Sequence, residues 1–340
     1  MPATRPDKLP PIDVGAWVRV GARVQGIYDP KKLDDQRMDV IYGELHLGGK
    51  VMKNVGVTLN LNANGLAKQA GIEDAIVAFD FDDAFHLWAG QLLVTVDRSN
   101  LAGPFFMIPW NYPGFFTVGT NTVVTAPKEG PSGRNAGMVV WGDFADGMFK
   151  YMAGAFDSGD VTQAPLYSGR LNLALMDKEP GFWGNASYFG EKNIFSVGVG
   201  GQFQREGSTA TATPPAMAPT PADYGEVNAD VLAEFKVGGG GWATGEAAYY
   251  HFTGSNDAIK DAFFVTGAVA SPQVGAGNIQ PMIRYQMGKG DNVKVWSLDA
   301  FLSYLVKGPA LRATLGFQHV DLDHDVAGNA VQLGAQAIFF

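Results

Sequence analysis

The chain has 340 residues, 46% of them apolar and 17% charged, with a formal net charge of -9 and no cysteine. The acidic balance sets nucleic-acid binding aside, since phosphate contacts need clustered Lys and Arg, and the lack of cysteine removes disulfides, thiolate catalysis and cysteine-based zinc sites. Helical membrane spanning is excluded too: it needs roughly 18 or more apolar residues in a row, and the longest such run, 105–110, is short and broken by Pro109.

Residues 1–13 carry no apolar core of an export signal, so they are expected to be a periplasmic N-terminal segment left after a signal was removed. From residue 14 the chain alternates with a period of two, in segments about as long as a tilted strand needs to cross a bilayer. In the first segment Val14, Ala16, Val18, Val20, Ala22 and Val24 share one face, and Arg19, Arg23 and Gln25 point the other way. The split recurs along the chain, giving sixteen strands near 14–28, 36–46, 50–61, 72–81, 84–92, 136–145, 148–157, 164–176, 194–205, 224–236, 241–252, 261–270, 278–288, 294–306, 309–321 and 328–340. Inward polar positions include Asn228, Asp230 and Glu234 on the tenth, Gln280, Arg284 and Gln286 on the thirteenth, Asp299 on the fourteenth, and Arg312 and Thr314 on the fifteenth.

A soluble sandwich also alternates. Three features point to a membrane barrel instead: strands longer than the usual five or six residues, aromatic residues near strand ends (Tyr28, Phe79, Phe81, Tyr249, Tyr250, Phe339, Phe340), and a final strand ending on aromatics. The fold class is therefore all-β: one transmembrane antiparallel up-and-down β-barrel domain of about 16 strands over 1–340. Even parity makes 177–193 a long turn, despite a candidate strand at 182–189.

Two segments interrupt the pattern. Residues 206–223, rich in Thr and Pro, read as a flexible external loop. Residues 93–135, rich in Phe, Trp, Pro and Gly, are too apolar to lie free in water and are expected to pack inside the barrel as a pore-constricting loop. Its candidate site residues are Asp97, Arg98, Phe105, Phe106, Trp110, Tyr112 and Arg134. The aromatics serve either as a gate or as anchors to the wall, and anchoring is favoured.

The run DAFHLWAGQLLVTVDRSNL at 83–101, DKEPGF at 177–182, QPMIRY at 280–285 and the terminal QAIFF together resemble the phosphate-selective porin O and P family of Gram-negative bacteria, over essentially the whole chain. The resemblance implies an outer-membrane trimer of 16-stranded barrels, narrowed by a third external loop folded inward between strands five and six. It also implies anion selectivity from basic residues along the pore, for which Arg19, Arg23, Arg98, Arg134, Arg170, Arg284 and Arg312 are the candidates. Because Asp230, Glu234 and Asp299 also point inward, the sign of the preferred ion stays open.

The pore-lining set is thus Arg19, Arg23, Arg170, Asp230, Glu234, Arg284, Asp299 and Arg312, expected to set a transverse field across a water-filled lumen. The cluster His319, Asp321, Asp323, His324 and Asp325 reads as a solvated external loop and not a cation site, and Asp80, Asp82 and Asp83 read as turn formers. The glycines at 198–201 and 238–241 precede no helix, so they read as strand kinks and a tight turn, not a phosphate cradle. With no nucleophile beside a base, catalysis is not expected, and neither a cofactor nor a metal is called for. The expected function is passive diffusion of small hydrophilic, charged solutes, with membrane lipid, lipopolysaccharide and two further copies of the chain as partners. The runner-up is a plugged barrel acting as an envelope scaffold, receptor or adhesin.

Overall fold

The computed structural model describes residues 12–27, 35–64, 69–109, 112–117, 120–123, 133–157, 164–210, 220–254, 259–291, 294–322 and 326–339. Its strands are β1 (Ile12–Ile27), β2 (Asp35–Met52), β3 (Val55–Asn64), β4 (Gln69–Asp82), β5 (Phe85–Leu93), β6 (Gly114–Thr117), β7 (Thr120–Val123), β8 (Arg134–Phe144) and β9 (Phe149–Phe156). There follow β10 (Leu166–Ala174), β11 (Ile194–Ala210), β12 (Thr220–Gly238), β13 (Gly241–Thr253), β14 (Asp261–Ala270), β15 (Asn278–Lys289), β16 (Lys294–Leu305), β17 (Leu311–Leu322) and β18 (Val326–Phe339).

All but β6 and β7 join one antiparallel meander that closes on itself, because β1 pairs with β2 on one side and with β18 on the other. Sixteen strands line the barrel. The hairpin β6–β7 stands apart, within the long connection from β5 to β8. The start of β1 and the end of β18 lie at the same rim, where Ala16 pairs with Phe339. We take this rim as periplasmic, the usual side for both chain ends of a bacterial barrel.

Each expected strand is present, though several run further than the alternation suggested, and residues 50–52, expected to open the third strand, close β2 instead. β11 and β12 stay paired out to Ala210 and Thr220, so the expected loop at 206–223 shrinks to 211–219, outside the described residues. Arg134 and Asn135 belong to β8, with Arg134 paired to Leu93 at the end of β5. His319 and Asp321 sit on β17 and not in a loop, while residues 323–325 lie outside the described residues. The expected N-terminal segment also lies outside them, up to residue 11.

The outer face is aliphatic. Val57, Val77, Leu171, Val199, Val227, Val265, Ile283, Leu298, Leu315 and Leu333 are exposed, whereas their neighbours along each strand point inward and are polar at most positions. Aromatics border this band. Phe81 and Phe85, and Phe144 with Phe149 and Tyr151, cluster at the periplasmic rim, and Phe263, Tyr285 and Trp296 form a row toward the other mouth. A water-soluble sheet would bury such an apolar face; here it is the side turned outward, which suits lipid tails flanked by interfacial rings. The chain is an outer-membrane β-barrel.

Candidate functional site: the lumen and its two insertions

The first part of the connection from β5 to β8 dives into the barrel, where residues 92–102 are buried throughout and include the short helix α1 (Arg98–Ala102). Asp97 starts α1 by accepting a hydrogen bond from the Asn100 amide (2.9 Å), the ordinary duty of an N-cap aspartate. Opposite α1, β11 carries glycine where a side chain would collide: a Cβ on Gly200 would lie 2.0 Å from the Val96 carbonyl oxygen, and one on Gly198 would meet the Arg170 guanidinium at 2.1 Å. Gly200 thus clears room for the insertion, and Gly198 for the Arg170 side chain of the neighbouring strand. The other expected glycine feature, a tight turn at 238–241, is present, with positive φ at Gly238, Gly239 and Gly240.

Further along, Ile108 packs on Ala268, Met282 and Phe301 of the wall. Arg312 donates to the carbonyls of Met107 (2.8 Å) and Ile108 (3.3 Å), and Gln336 donates to that of Phe105 (3.1 Å). The expected anchoring therefore holds for Phe105, which is fully buried. Phe106 is half-buried, and Tyr112 packs against Ala102, Met107 and Ala186. Trp110 lies outside the described residues, as do the side chains of Arg19 and Arg23.

A second insertion rises from the periplasmic rim. The turn joining β10 to β11 (residues 175–193) enters the lumen, burying Glu179, Phe182, Ala186 and Ser187. Phe182 stacks on Trp88 (4.5 Å) and meets Trp141 edge-on (5.6 Å). Glu234 holds the far end of the turn, accepting from the Ser187 hydroxyl (2.6 Å) and the amides of Tyr188 (3.1 Å) and Gly190 (2.9 Å). Glu234 thus anchors the turn and does not line open water. The sequence reading missed this insertion, although Phe182, Trp183, Tyr188 and Phe189 are as apolar a signal as the one that flagged the first.

The two insertions meet at Arg98. Its guanidinium donates to both oxygens of Glu179 (2.8 and 2.9 Å), to Asp230 on β12 (3.2 Å), to Asn172 (3.0 Å) and to Ser196 (2.6 Å). Burial and the Glu179 charge act on Arg98 in opposite senses, and the acidic partners prevail, raising its pKa. Burial pushes the Glu179 carboxyl up, but the Arg98 charge, with hydrogen bonds from Arg98, Ser196 and Tyr188, outweighs it and holds the group well below the usual carboxylate range. Beside this latch lies a cavity of about 10 Å³, lined by Arg98, Lys150, Arg170 and Glu179, space for about one water.

The remaining predicted lining residues are inward but paired. Arg170 binds Asp230 (2.6 Å) and Arg284 binds Asp299 (2.6 Å), the latter two fully buried. Arg134 spans Glu73 (2.8 Å) and Asp74 (3.0 Å). Those two neighbours both face inward because a bulge on β4 leaves Glu73 as an extra residue between the pairs Asn60–Asp74 and Leu61–Ile72. The expected transverse field is largely folded into these local pairs. Water does not fill the whole described interior either: Tyr250, Phe264, Val295 and Val320 form an apolar cluster on the inner wall.

Carboxylates nonetheless prevail. Among the described residues eleven buried acids face six buried basic side chains. Asp97 shows the cost of crowding them: burial and the nearby Glu226 charge push its carboxyl well above the ordinary aspartate value, toward the neutral acid.

Solved structures resemble this architecture along nearly its full length. An outer-membrane-expressed OmpT of Vibrio cholerae is 13% identical with a TM-score of 0.60, covering 96% of this chain and 97% of its own. OprB of Pseudomonas putida is 10% identical with a TM-score of 0.66, covering 96% and 94%. An anion-selective porin from Comamonas acidovorans is 12% identical with a TM-score of 0.55, covering 97% and 100%. The likeness fixes the fold. No protein-family model matches the chain, and no curated protein matches it. The neighbours bear out the porin-type barrel fold that the sequence resemblance implies and do not reach its phosphate-selective family.

Proposed function

We propose that the chain is a porin-type channel that lets small hydrophilic solutes cross the outer membrane, with a preference for cations. The observation that carries this is the inverted barrel, aliphatic toward lipid and charged within, whose buried carboxylates outnumber its buried basic groups eleven to six among the described residues. Arginines that would serve an anion are engaged: Arg98, Arg134, Arg170 and Arg284 by carboxylates, Arg312 by loop carbonyls. An excess of inward carboxyl groups in a low-dielectric wall favours cations, whose approach ionises them, over anions. The solute is therefore not taken to be phosphate, despite the sequence resemblance.

Reconstitution in a planar bilayer with a potassium chloride gradient tests the reading. Stepwise conductance with a reversal potential of the cation-selective sign is expected; the opposite sign would refute the charge preference. The filled lumen favours a second reading, a closed barrel serving as an envelope scaffold, for which intact protein would give no steps. A homotrimer belongs to the proposal, supported by a trimer form of Vibrio cholerae OmpT among the similar structures. Cross-linking in membranes should yield a three-chain species.

A further inference from the structure

Beyond the ion pairs, one stretch of lumen wall is built of oxygen acceptors that have no donor. On β11, β12 and β13 the inward positions form cross-strand rows: Gln202 with Glu226, Gly200 with Asn228 and Tyr250, Gly198 with Asp230 and Ala248, Ser196 with Leu232 and Glu246. Asp97 comes over this wall, since the Val96 carbonyl occupies the space left by Gly200. The Glu226 carboxylate accepts from the amide nitrogens of Gln202 and Asn228 and from the Tyr224 hydroxyl. That arrangement fixes both amides, nitrogen toward Glu226 and oxygen away from it.

Gln202 Oε1 and Asn228 Oδ1 are left buried without a hydrogen-bond partner, and so are Asp97 Oδ2 and Glu246 Oε1. The two amide oxygens are acceptors, and the two carboxyl oxygens accept in the ionised form that a bound cation favours. The Tyr250 hydroxyl, fully buried and likewise unpartnered, lies within electrostatic reach of Asp97, Glu226, Asp230 and Glu246. Asp230 is matched by Arg170 and Arg98, but Asp97, Glu226 and Glu246 form no ion pair among the described residues. Buried acceptors and carboxyl groups without an ion-pair partner together call for an occupant that brings positive charge and several N–H donors. A bare metal ion fits less well, because no group of three or more acidic or histidine side chains among the described residues is gathered closely enough to hold one.

We propose that this wall, with Asp97, is a binding site for a small organic cation bearing N–H donors, an alkylammonium or guanidinium group, on the route through the lumen. Its place on a route rests on the channel reading; the binding itself does not.

Calorimetric titration of the full chain in detergent with methylguanidinium chloride is the test, with tetramethylammonium chloride as a cation lacking N–H donors. Methylguanidinium should bind, and tetramethylammonium should bind at least about tenfold more weakly, the discrimination a lost charge-assisted hydrogen bond gives. Glu246→Gln, of equal size, should weaken methylguanidinium by a similar factor, as should Tyr250→Phe, which removes a single hydroxyl. Equal binding of the two cations, no binding, or unchanged affinity in both variants would overturn the site. Bilayer recordings separate this result from the channel reading: binding without conductance keeps the site and sinks the channel, and conductance without binding does the reverse.

Discussion

Glu179 and Arg98 reach each other from opposite rims of the barrel, and their side chains are almost wholly shielded from solvent. Removing one charge from such a pair leaves the other buried with less compensation, which typically costs about 3–5 kcal/mol. Glu179→Gln keeps the side-chain size and should fall at the low end, near 3 kcal/mol, since Arg98 retains Asp230. The sign with pH follows from the lowered carboxyl pKa. Glu179 stabilises the fold above its ordinary value of 4.5, and that contribution is lost as pH falls below it toward the folded-state value. The melting temperature of the wild type should therefore drop more steeply between about pH 5 and pH 3 than that of the variant. Parallel curves would show that Glu179 is not the acid-sensitive part of the latch.

At the scale of elements, the first insertion depends on β11 presenting glycine at residue 200. A methyl group there cannot coexist with the Val96 carbonyl at 2.0 Å, so Gly200→Ala should lift residues 94–98 off the wall. Gly245→Ala on β13 meets nothing within 4 Å and serves as the control. Trypsin should then cut after Arg98 in the Gly200 variant and spare the control. A protected Arg98 in both would mean that this contact does not seat the loop.

The same elements show what was legible beforehand. Strand spans followed from two-residue alternation, because lipid on one face and polar groups on the other impose it directly. The inward course of the described start of that loop, residues 93–109, followed from its aromatics. The bulge that turns both Glu73 and Asp74 inward left no trace in the pattern, since one extra residue merely shifts the phase of a strand. The periplasmic insertion at 175–193 was hidden for another reason: its aromatics read as an aborted strand, and only the partners Glu234, Arg98 and Trp88, all distant in sequence, decide where it goes. Charge placement was half legible. Alternation put Arg170, Asp230, Arg284 and Asp299 inside, but only cross-strand register shows Arg284 opposite Asp299, as an ion pair instead of a free lining charge.

For the molecule as a whole, everything depends on which face of the closed sheet meets the nonpolar phase, and one substitution interrogates that. Val265 lies midway along β14 with 52% of its surface exposed, while Thr266 beside it is buried in the lumen. On a water-facing surface, Val265→Arg would change stability by no more than about 0.5 kcal/mol. Facing lipid near the bilayer midplane, the same arginine should cost roughly 2–4 kcal/mol, because its charge must be drawn toward the headgroups or hydrated through a membrane defect. Reversible denaturant unfolding in phospholipid vesicles measures the difference. A destabilisation in the larger range places the aliphatic band in the membrane and leaves the inner, acid-rich face as the surface any solute must pass. A neutral result would put that band in water and remove the basis for a channel.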